Sequence, residues 1–332
     1  MGSRTCSDSA ESPGDPAKTS NNSENTYPPC DQSEGESHGR DAHVTDSLDL
    51  GEPQDAIWIF QQAAQANLNS ANRRGATAHL AEGQELLITG DLHDNGVNLL
   101  RILKRADLQR GADRHLVLHE IVHGPNFVSG CDLSIRTLAR IAVLKLQNPD
   151  QVHLMLGNHE LAQLGGGGIS KDGVDVVKAF NEGAYFIYGE QAEAVLSAMQ
   201  IFIRSFLLAV RCPNDILCCH SVPSPRKLDQ FDHTVIDRVP TVDDLMARGH
   251  AHDMVWGRNH TPETAAELAR RWSTNLFVMG HQPAEMGYVV ETPTMLVIAS
   301  DHEHGMVLPI NTSKSYDMDN LVENLVPLAS VV

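Results

Sequence analysis

Side chains that bind metal ions follow four apolar, strand-like segments of the chain. Asp91 and His93 lie after the first segment, and Asn158, His220 and His281 each follow another. Asp91 and His93 are two residues apart, so an extended backbone directs both side chains to the same side. Such a mixture of oxygen and nitrogen ligands suits Mn, Fe or Zn better than a sulfur-preferring ion. Glycine precedes three of the polar positions, at Gly90, Gly157 and Gly280. The pattern therefore predicts a metal site.

Glu120 is a further candidate ligand, because it follows another strand-like run at 115–118. A carboxylate has two oxygens, so Glu120 can bind two cations at once. Two metal ions about 3.5–4 Å apart activate a hydroxide and hold a phosphate for in-line displacement. The six residues together therefore predict two divalent metal ions (Mn, Fe or Zn) and the hydrolysis of a phosphoester.

Strands and helices that would position these residues alternate along the chain. Apolar runs predict strands at 77–80, 86–89, 115–118, 152–156, 215–219, 276–279 and 295–299. Helical spacing of apolar residues predicts helices at 55–66, 97–103, 133–146, 190–210 and 265–272. This alternation predicts an α/β fold with a parallel or mixed sheet and helices on its faces. Ligands of such sheets collect beyond the carboxyl ends of the strands, where the candidate residues lie.

The composition is that of a globular enzyme with an acidic N-terminal tail. The chain has 332 residues, 41% of them hydrophobic, and a net charge of −18, which argues against a nucleic-acid partner or an anionic membrane surface. Residues 1–55 contain 12 Asp or Glu and three Lys or Arg, and few apolar residues. Such a segment cannot bury enough surface to offset its ordering entropy, so we predict disorder at 1–53 and a catalytic domain at 54–332.

Targeting and crosslinking patterns are not visible in the sequence. The N-terminus lacks the apolar stretch of a secretory signal, and the apolar run at 201–210 is short for a bilayer span and contains Arg204. We therefore predict a cytoplasmic protein without a membrane partner. The six cysteines form no Cys-x-x-Cys pair, so neither a disulfide framework nor a zinc cluster is expected. Four glycines at 165–168 predict a flexible connector, with a lid beside the site as the alternative. The sequence indicates no oligomeric state.

The polar segments resemble the motifs of the calcineurin-like metallophosphoesterases, and within them those of the phosphoprotein phosphatase (serine/threonine phosphatase) branch and its bacterial relatives. The resemblance covers about residues 80–305. It is carried by Gly90-Asp91-Leu92-His93, Gly157-Asn158-His159-Glu160, Ile216-Leu217-Cys218-Cys219-His220 followed by Ser224-Pro225, Trp256-Gly257-Arg258, and Gly280-His281.

This resemblance implies a layered α-β-β-α fold with mixed sheets and a metal site at the carboxyl ends of the strands. It also implies a role for each candidate residue. His159 would donate a proton to the leaving oxygen, and Arg258 and Asn158 would bind the substrate phosphate. The first metal ion would be held by Asp91, His93 and Glu120, and the second by Glu120, Asn158, His220 and His281.

The second motif of the family, Gly-Asp-x-x-Asp-Arg-Gly, is altered in this chain. Glu120 stands where the family has the bridging aspartate, which preserves the carboxylate but adds a methylene. His123 replaces the aspartate that would orient the catalytic histidine, and Gly124 replaces an arginine that would bind phosphate. Asp94 replaces the glycine after Asp-x-His; we expect a loop-capping role, with an extra charge near the metals as the alternative. The segment at 300–304 lacks a family tyrosine, and no site role is assigned to its two histidines.

Three functions agree with these patterns. The first is a monoesterase acting on phosphoserine or phosphothreonine in proteins, and we expect this one. The second is a small-molecule phosphoesterase, such as a dinucleoside polyphosphate hydrolase. The third is a metal-binding scaffold without activity, which is disfavoured because every expected ligand has a candidate.

Overall fold

The structure is a computed structural model that describes residues 48–166, 169–171 and 173–331. Residues 1–47 of the predicted tail lie outside the described residues, as do Gly167 and Gly168 of the predicted glycine connector. The described part begins at Leu48, and its first helix begins at Pro53.

Sixteen strands and ten α-helices occur in the described part of the chain. The strands are β1 (Arg73–Arg74), β2 (Thr77–His79), β3 (Glu85–Asp91), β4 (Arg114–His119), β5 (Phe127–Val128), β6 (Cys131–Asp132), β7 (Val152–Leu154), β8 (Ser170–Lys171), β9 (Val174–Asp175), β10 (Ala209–Arg211), β11 (Ile216–Cys219), β12 (Leu276–Met279), β13 (Tyr288–Thr292), β14 (Met295–Ile298), β15 (Met306–Asn311) and β16 (Val326–Pro327). The helices are α1 (Pro53–Leu68), α2 (Gly96–Ala106), α3 (Ile135–Gln147), α4 (Asn158–Gly165), α5 (Val176–Tyr188), α6 (Ala192–Arg204), α7 (Val242–Leu245), α8 (His250–Val255), α9 (Pro262–Trp272) and α10 (Met318–Asn324).

Two mixed sheets contain the strands that carry the site. One has seven strands in the order β1-β2-β10-β11-β12-β14-β13, and the other has five in the order β16-β15-β3-β4-β7. Strands β3, β4 and β7 are parallel to one another, and β11 and β12 are parallel in the other sheet. The sheets meet at a bridge between Asp91 and Ala299. The carboxyl ends of β3, β4, β7, β11 and β12 are thereby brought to one edge of the paired sheets.

Alternate residues of the strands pack into two separate apolar clusters. In β12, Leu276 and Val278 belong to one cluster, and Phe277 and Met279 belong to the other. The first cluster is built mainly from strands of both sheets, whereas the second also contains the buried faces of the helices. Successive strand side chains point to opposite faces, so the first cluster lies between the sheets and the second lies under the helices. The predicted α-β-β-α order of layers is confirmed.

Most predicted elements are present, and the segment 190–210, predicted to be mostly helical, is helical in its larger part but ends in a strand. Helix α6 ends at Arg204, and Ala209–Arg211 forms strand β10. This strand pairs with β2 on one side and with β11 on the other. A continuous apolar run fits a buried strand as well as a buried helix, and here pairing with two neighbours decides between them. The described residues contain no helix that is both long enough and apolar enough to cross a membrane.

Candidate metal centre

The six predicted metal ligands come together where the five strands end. Asp91 is the last residue of β3, Glu120 follows β4, and His220 follows β11. Asn158 begins α4 after β7, and His281 lies two residues beyond β12. These five residues and His93, the sixth ligand, are all buried. A cleft of about 420 Å³ opens over the group and is lined by every predicted site residue except His220, which contacts Glu120.

Glu120 lies at the centre of this group. Its Oε1 is 3.5 Å from Nε2 of His93 and 3.4 Å from Nε2 of His159. Its Oε2 is 2.8 Å from Nε2 of His220. Glu120 belongs to two groups whose ligand atoms all lie within 4.8 Å of one another, the first with His93 and His159 and the second with His220 and His281. Its two oxygens thus face two different sets of imidazoles.

Asp91 and Asn158 contact the second set. Oδ1 of Asp91 is 3.5 Å from Nδ1 of His220, while its Oδ2 accepts a hydrogen bond of 2.8 Å from the backbone N–H of His281. Oδ1 of Asn158 is 3.0 Å from Nε2 of His220 and 2.6 Å from Nδ1 of His281. Asp91 is therefore placed against the second set, and it is His159 that lies with His93 and Glu120 in the first group.

Several buried atoms of these residues have no hydrogen-bonding partner among the described residues, namely Oδ1 of Asp91, Nδ1 of His220 and Nε2 of His281. Burial raises the pKa of Asp91 well above its usual value, and the nearby Glu120 carboxylate raises it further. Burial also lowers the pKa of His220 to about 3, so this imidazole is neutral and able to bind a cation. A divalent cation would satisfy these atoms and offset the burial of the carboxylates. The residues present fit the divalent metal ions that the motifs imply.

Strained backbone is concentrated at this centre. His93, Glu120 and His281 have φ values of 43°, 32° and 70°. Their neighbours Asp94 and His123 also have positive φ, at 56° and 62°. A residue with a Cβ in this region costs on the order of 1–3 kcal/mol, and such residues cluster at functional sites. Three strained residues that line the cleft, with two more beside them in the chain or in contact with His159, mark it as the functional site independently of its sequence motifs.

The three glycines of the motifs are required by close packing. A Cβ on Gly90 would lie 1.9 Å from the carbonyl oxygen of Ile298. A Cβ on Gly157 would lie 2.6 Å from Oε2 of Glu120, and one on Gly280 would lie 2.2 Å from Oδ1 of Asp91. Gly157 and Gly280 therefore leave room for the ligand carboxylates, which explains their position beside the ligands.

Substituting Gly280 should consequently weaken metal binding without unfolding the protein. In Gly280→Ala the new methyl group displaces the Asp91 carboxylate, so we expect about a tenfold to 100-fold loss of metal affinity, as for other changes beside a ligand. Calorimetric titration with Mn²⁺ or Zn²⁺ measures this loss. Gly165→Ala is the matched control, because a Cβ there has no atom within 4 Å. Equal metal affinity in both variants would contradict the prediction.

Glu160 holds the backbone that carries Glu120, a role that the sequence did not reveal. Its Oε1 accepts hydrogen bonds from the backbone N–H groups of Ile121 (2.7 Å) and Val122 (3.2 Å). Burial raises the pKa of Glu160 to about 8, with a further contribution from Glu120. The structure, and not the sequence, shows that α4 buries Asn158, His159, Glu160 and Gln163, four polar residues in one short helix.

His159 and Arg258 both line the cleft. Nδ1 of His159 is 3.0 Å from Nδ1 of His123, the residue that replaces the family aspartate. The backbone N–H of Arg258 donates to Oγ of Ser224 (2.9 Å), which fixes the start of its side chain. Within the described residues the Arg258 guanidinium has no hydrogen bond or ion pair, so it is available to an anion in the cleft.

The other altered positions are explained by packing. Asp94 Oδ1 accepts a hydrogen bond from Thr137 on α3, so its carboxylate is directed away from the metal cleft and toward a helix. A Cβ on Gly124 would lie 2.6 Å from the Cβ of Asp94, so Asp94 fills the space that a side chain at 124 would need. His302 lines the cleft, and its Nε2 lies 3.1 Å from the carbonyl oxygen of Ala284. His304 lies outside the cleft, and its side chain is exposed.

Comparison with known proteins identifies the family. Residues 85–307 match the family model described as calcineurin-like phosphoesterase. The chain belongs to the calcineurin-like phosphoesterase family. Membership makes it a metal-dependent phosphoric ester hydrolase, and the family uses divalent metal ions. A search of curated proteins found no match.

Solved structures with the same fold include two phosphatases. A protein serine/threonine phosphatase from Saccharomyces cerevisiae, with similarity to human phosphatase PP5, aligns with a TM-score of 0.61 and 14% identity over 83% of this chain and 93% of that chain. A cold-active protein-tyrosine phosphatase from a Shewanella species aligns with a TM-score of 0.50 and 15% identity, over 75% of this chain and 80% of that one. At these identities the likeness establishes the fold.

Proposed function

We propose that this chain hydrolyses phosphate monoesters at a dinuclear metal centre and acts on phosphoserine or phosphothreonine in proteins, with residues 54–332 forming the enzyme. The observation that carries the proposal is the position of Glu120, whose two carboxylate oxygens face two sets of buried imidazoles. A carboxylate placed in this way can bind two divalent cations at once, one through each oxygen. The mixed ligands suit Mn, Fe or Zn.

The proposed ligand sets follow the motifs. Glu120 would be shared by both cations, with Asp91 and His93 as further residues for one and Asn158, His220 and His281 for the other. His159, within 3.4 Å of Glu120, acts as the general acid in this proposal. Bound as a pair, divalent cations supply a nucleophile at neutral pH and neutralise phosphate charge.

The protein's own side chains bind the substrate and move one proton. Arg258 offers a planar fork of N–H donors, which can bind two phosphate oxygens together, and Asn158 offers its amide. His159 delivers the proton on Nε2 to the leaving oxygen, which would otherwise depart as an alkoxide. The buried walls of the cleft strengthen these interactions, because the local dielectric constant is lower than that of water.

Metal content and hydrolysis of a generic aryl phosphate test this proposal together. We expect about two divalent ions per chain, as in other two-metal sites, and Mn-dependent release of the phenol. Elemental analysis by plasma mass spectrometry counts the ions. Less than roughly 0.2 ions per chain together with no hydrolysis at any Mn concentration would instead identify a scaffold that has lost the chemistry.

A substrate panel distinguishes a protein phosphatase from a small-molecule phosphoesterase. Peptides carrying phosphoserine, phosphothreonine or phosphotyrosine and a set of dinucleoside polyphosphates should be compared by kcat/KM with Mn²⁺. We expect the highest values for the phosphoserine and phosphothreonine peptides. Cleavage of the polyphosphates alone would overturn the choice of substrate while leaving the metal centre intact.

A further inference from the structure

A continuous chain of hydrogen bonds extends from His159 on α4 to Asn181 on α5. His159 Nδ1 lies 3.0 Å from His123 Nδ1, and the other nitrogen of His123, Nε2, lies 3.1 Å from Oε1 of Gln163. Nε2 of Gln163 donates a 2.6 Å hydrogen bond to Oδ1 of Asn181 on α5. His123 and Gln163 are buried. Gln163 is four residues after His159, which places both on one face of α4.

The direction of each hydrogen bond in this chain follows from the amide at its end. Because the nitrogen of Gln163 donates to Asn181, its oxygen faces His123 and can only accept. Nε2 of His123 therefore carries the hydrogen, and in a neutral ring Nδ1 is the acceptor. Nδ1 of His159 must then carry a hydrogen and donate it to His123, since two nitrogens without hydrogens, 3.0 Å apart, would form no hydrogen bond.

This direction is the one that a proton donor in the cleft requires. A protonated His159 has N–H groups on both nitrogens, so its Nδ1 needs an acceptor. Neutral His123 with a bare Nδ1 provides that acceptor, as an aspartate would. After Nε2 of His159 has given its proton to the leaving oxygen, the ring keeps the hydrogen on Nδ1, and no bond in the chain has to reverse. If His123 instead carried its hydrogen on Nδ1, this N–H group would face the N–H group on Nδ1 of protonated His159.

We propose that Gln163, oriented by Asn181, is a positioning residue that sets the tautomer of His123 and, through it, that of His159. His123 thereby replaces a carboxylate as the hydrogen-bond acceptor of the general acid. This inference rests on the proposed function for the role of His159. The tautomers themselves can be observed whether or not the protein hydrolyses a given substrate.

Histidine tautomers in the zinc-loaded, diamagnetic protein test the proposal directly. Long-range proton–nitrogen NMR spectra of protein labelled with ¹⁵N-histidine should show the hydrogen on Nε2 of His123 and on Nδ1 of His159. A hydrogen on Nδ1 of His123 would overturn the proposal without any variant being made. Absence of phosphatase activity, with these tautomers present, would reject the proposed function alone.

Two substitutions separate this role from a purely structural one. Gln163→Met keeps the approximate size but removes the acceptor, so we expect mixed tautomers at His123, about a tenfold lower kcat, and unchanged metal content and KM. Asn181→Asp keeps an acceptor for the Gln163 nitrogen, so we expect the original tautomers. Should Gln163→Met leave both tautomers and kcat unaltered, or should Asn181→Asp scramble the tautomers as Gln163→Met does, the proposal is wrong.

Discussion

Glu120→Ala is expected to abolish binding of both metal ions and to reduce phosphatase activity to background. Its carboxylate lies within 3.5 Å of His93 and 2.8 Å of His220, so each set of imidazoles loses its shared anionic ligand. Losing an ordinary ligand would affect one cation, whereas losing a bridging ligand affects both. Elemental analysis after dialysis against Mn²⁺ should therefore show fewer than about 0.2 ions per chain, against about two in the unsubstituted protein.

The thermal stability of the same variant provides a second readout. Burial and the charge of Glu120 both raise the pKa of Asp91, so without a cation the two carboxylates repel each other at neutral pH. Removing Glu120 relieves this repulsion. We therefore expect metal-depleted Glu120→Ala to melt no lower than the metal-depleted parent. A ligand at 100 times its Kd stabilises a protein by about 2.7 kcal/mol, and this metal-dependent increase in Tm should be absent from the variant.

Glu82→Ala is the control, because Glu82 is exposed and lies outside the centre. Glu120→Asp tests the altered family position, since it shortens the bridge by one methylene while keeping the carboxylate. We expect it to retain metal but to differ in affinity. If Glu120→Ala retained two ions per chain, Glu120 would not be the bridging ligand.

The sequence predicted the strands and the residues at their ends, because both signals are local. Continuous apolar runs define β3 and β12, and the ligands lie at the end of β3 and two residues beyond β12. The pairing of β10 was not predictable in this way. Ala209 and Val210 continue the apolar run at 201–210, and only pairing with β11 and with β2, which is distant in sequence, distinguishes a strand from a continued helix.

Roles that depend on contacts across the fold were also missed. Glu160 was read as part of a motif, but its function depends on backbone N–H groups 38 and 39 residues away in sequence. Gln163 belongs to no sequence motif, and its proposed role depends on a hydrogen bond with His123, which lies 40 residues earlier. Departures from a family pattern, such as that at His123, therefore indicate where new supporting contacts should be sought.

His159→Ala should lower kcat strongly while leaving the metal ions in place, in contrast to Glu120→Ala. General acid catalysis contributes about 10²–10⁴-fold, and the full loss is expected only where the leaving oxygen needs a proton. A serine alkoxide is a poor leaving group, so kcat for a phosphoserine peptide should fall by this factor. A nitrophenolate leaves readily, so hydrolysis of nitrophenyl phosphate should fall by less than about tenfold.

This dependence on the leaving group distinguishes a general acid from a metal ligand. The distinction is needed because His159 lies close enough to Glu120 and His93 to share a metal ion with them. If His159 is a metal ligand, His159→Ala should lose metal, and kcat should fall by the same factor for both substrates. An acid role predicts full metal content and a selective loss with the alkyl phosphate. His304→Ala is a suitable control, since that imidazole is exposed outside the cleft. Equal losses on the two substrates with metal retained would reject proton donation by His159.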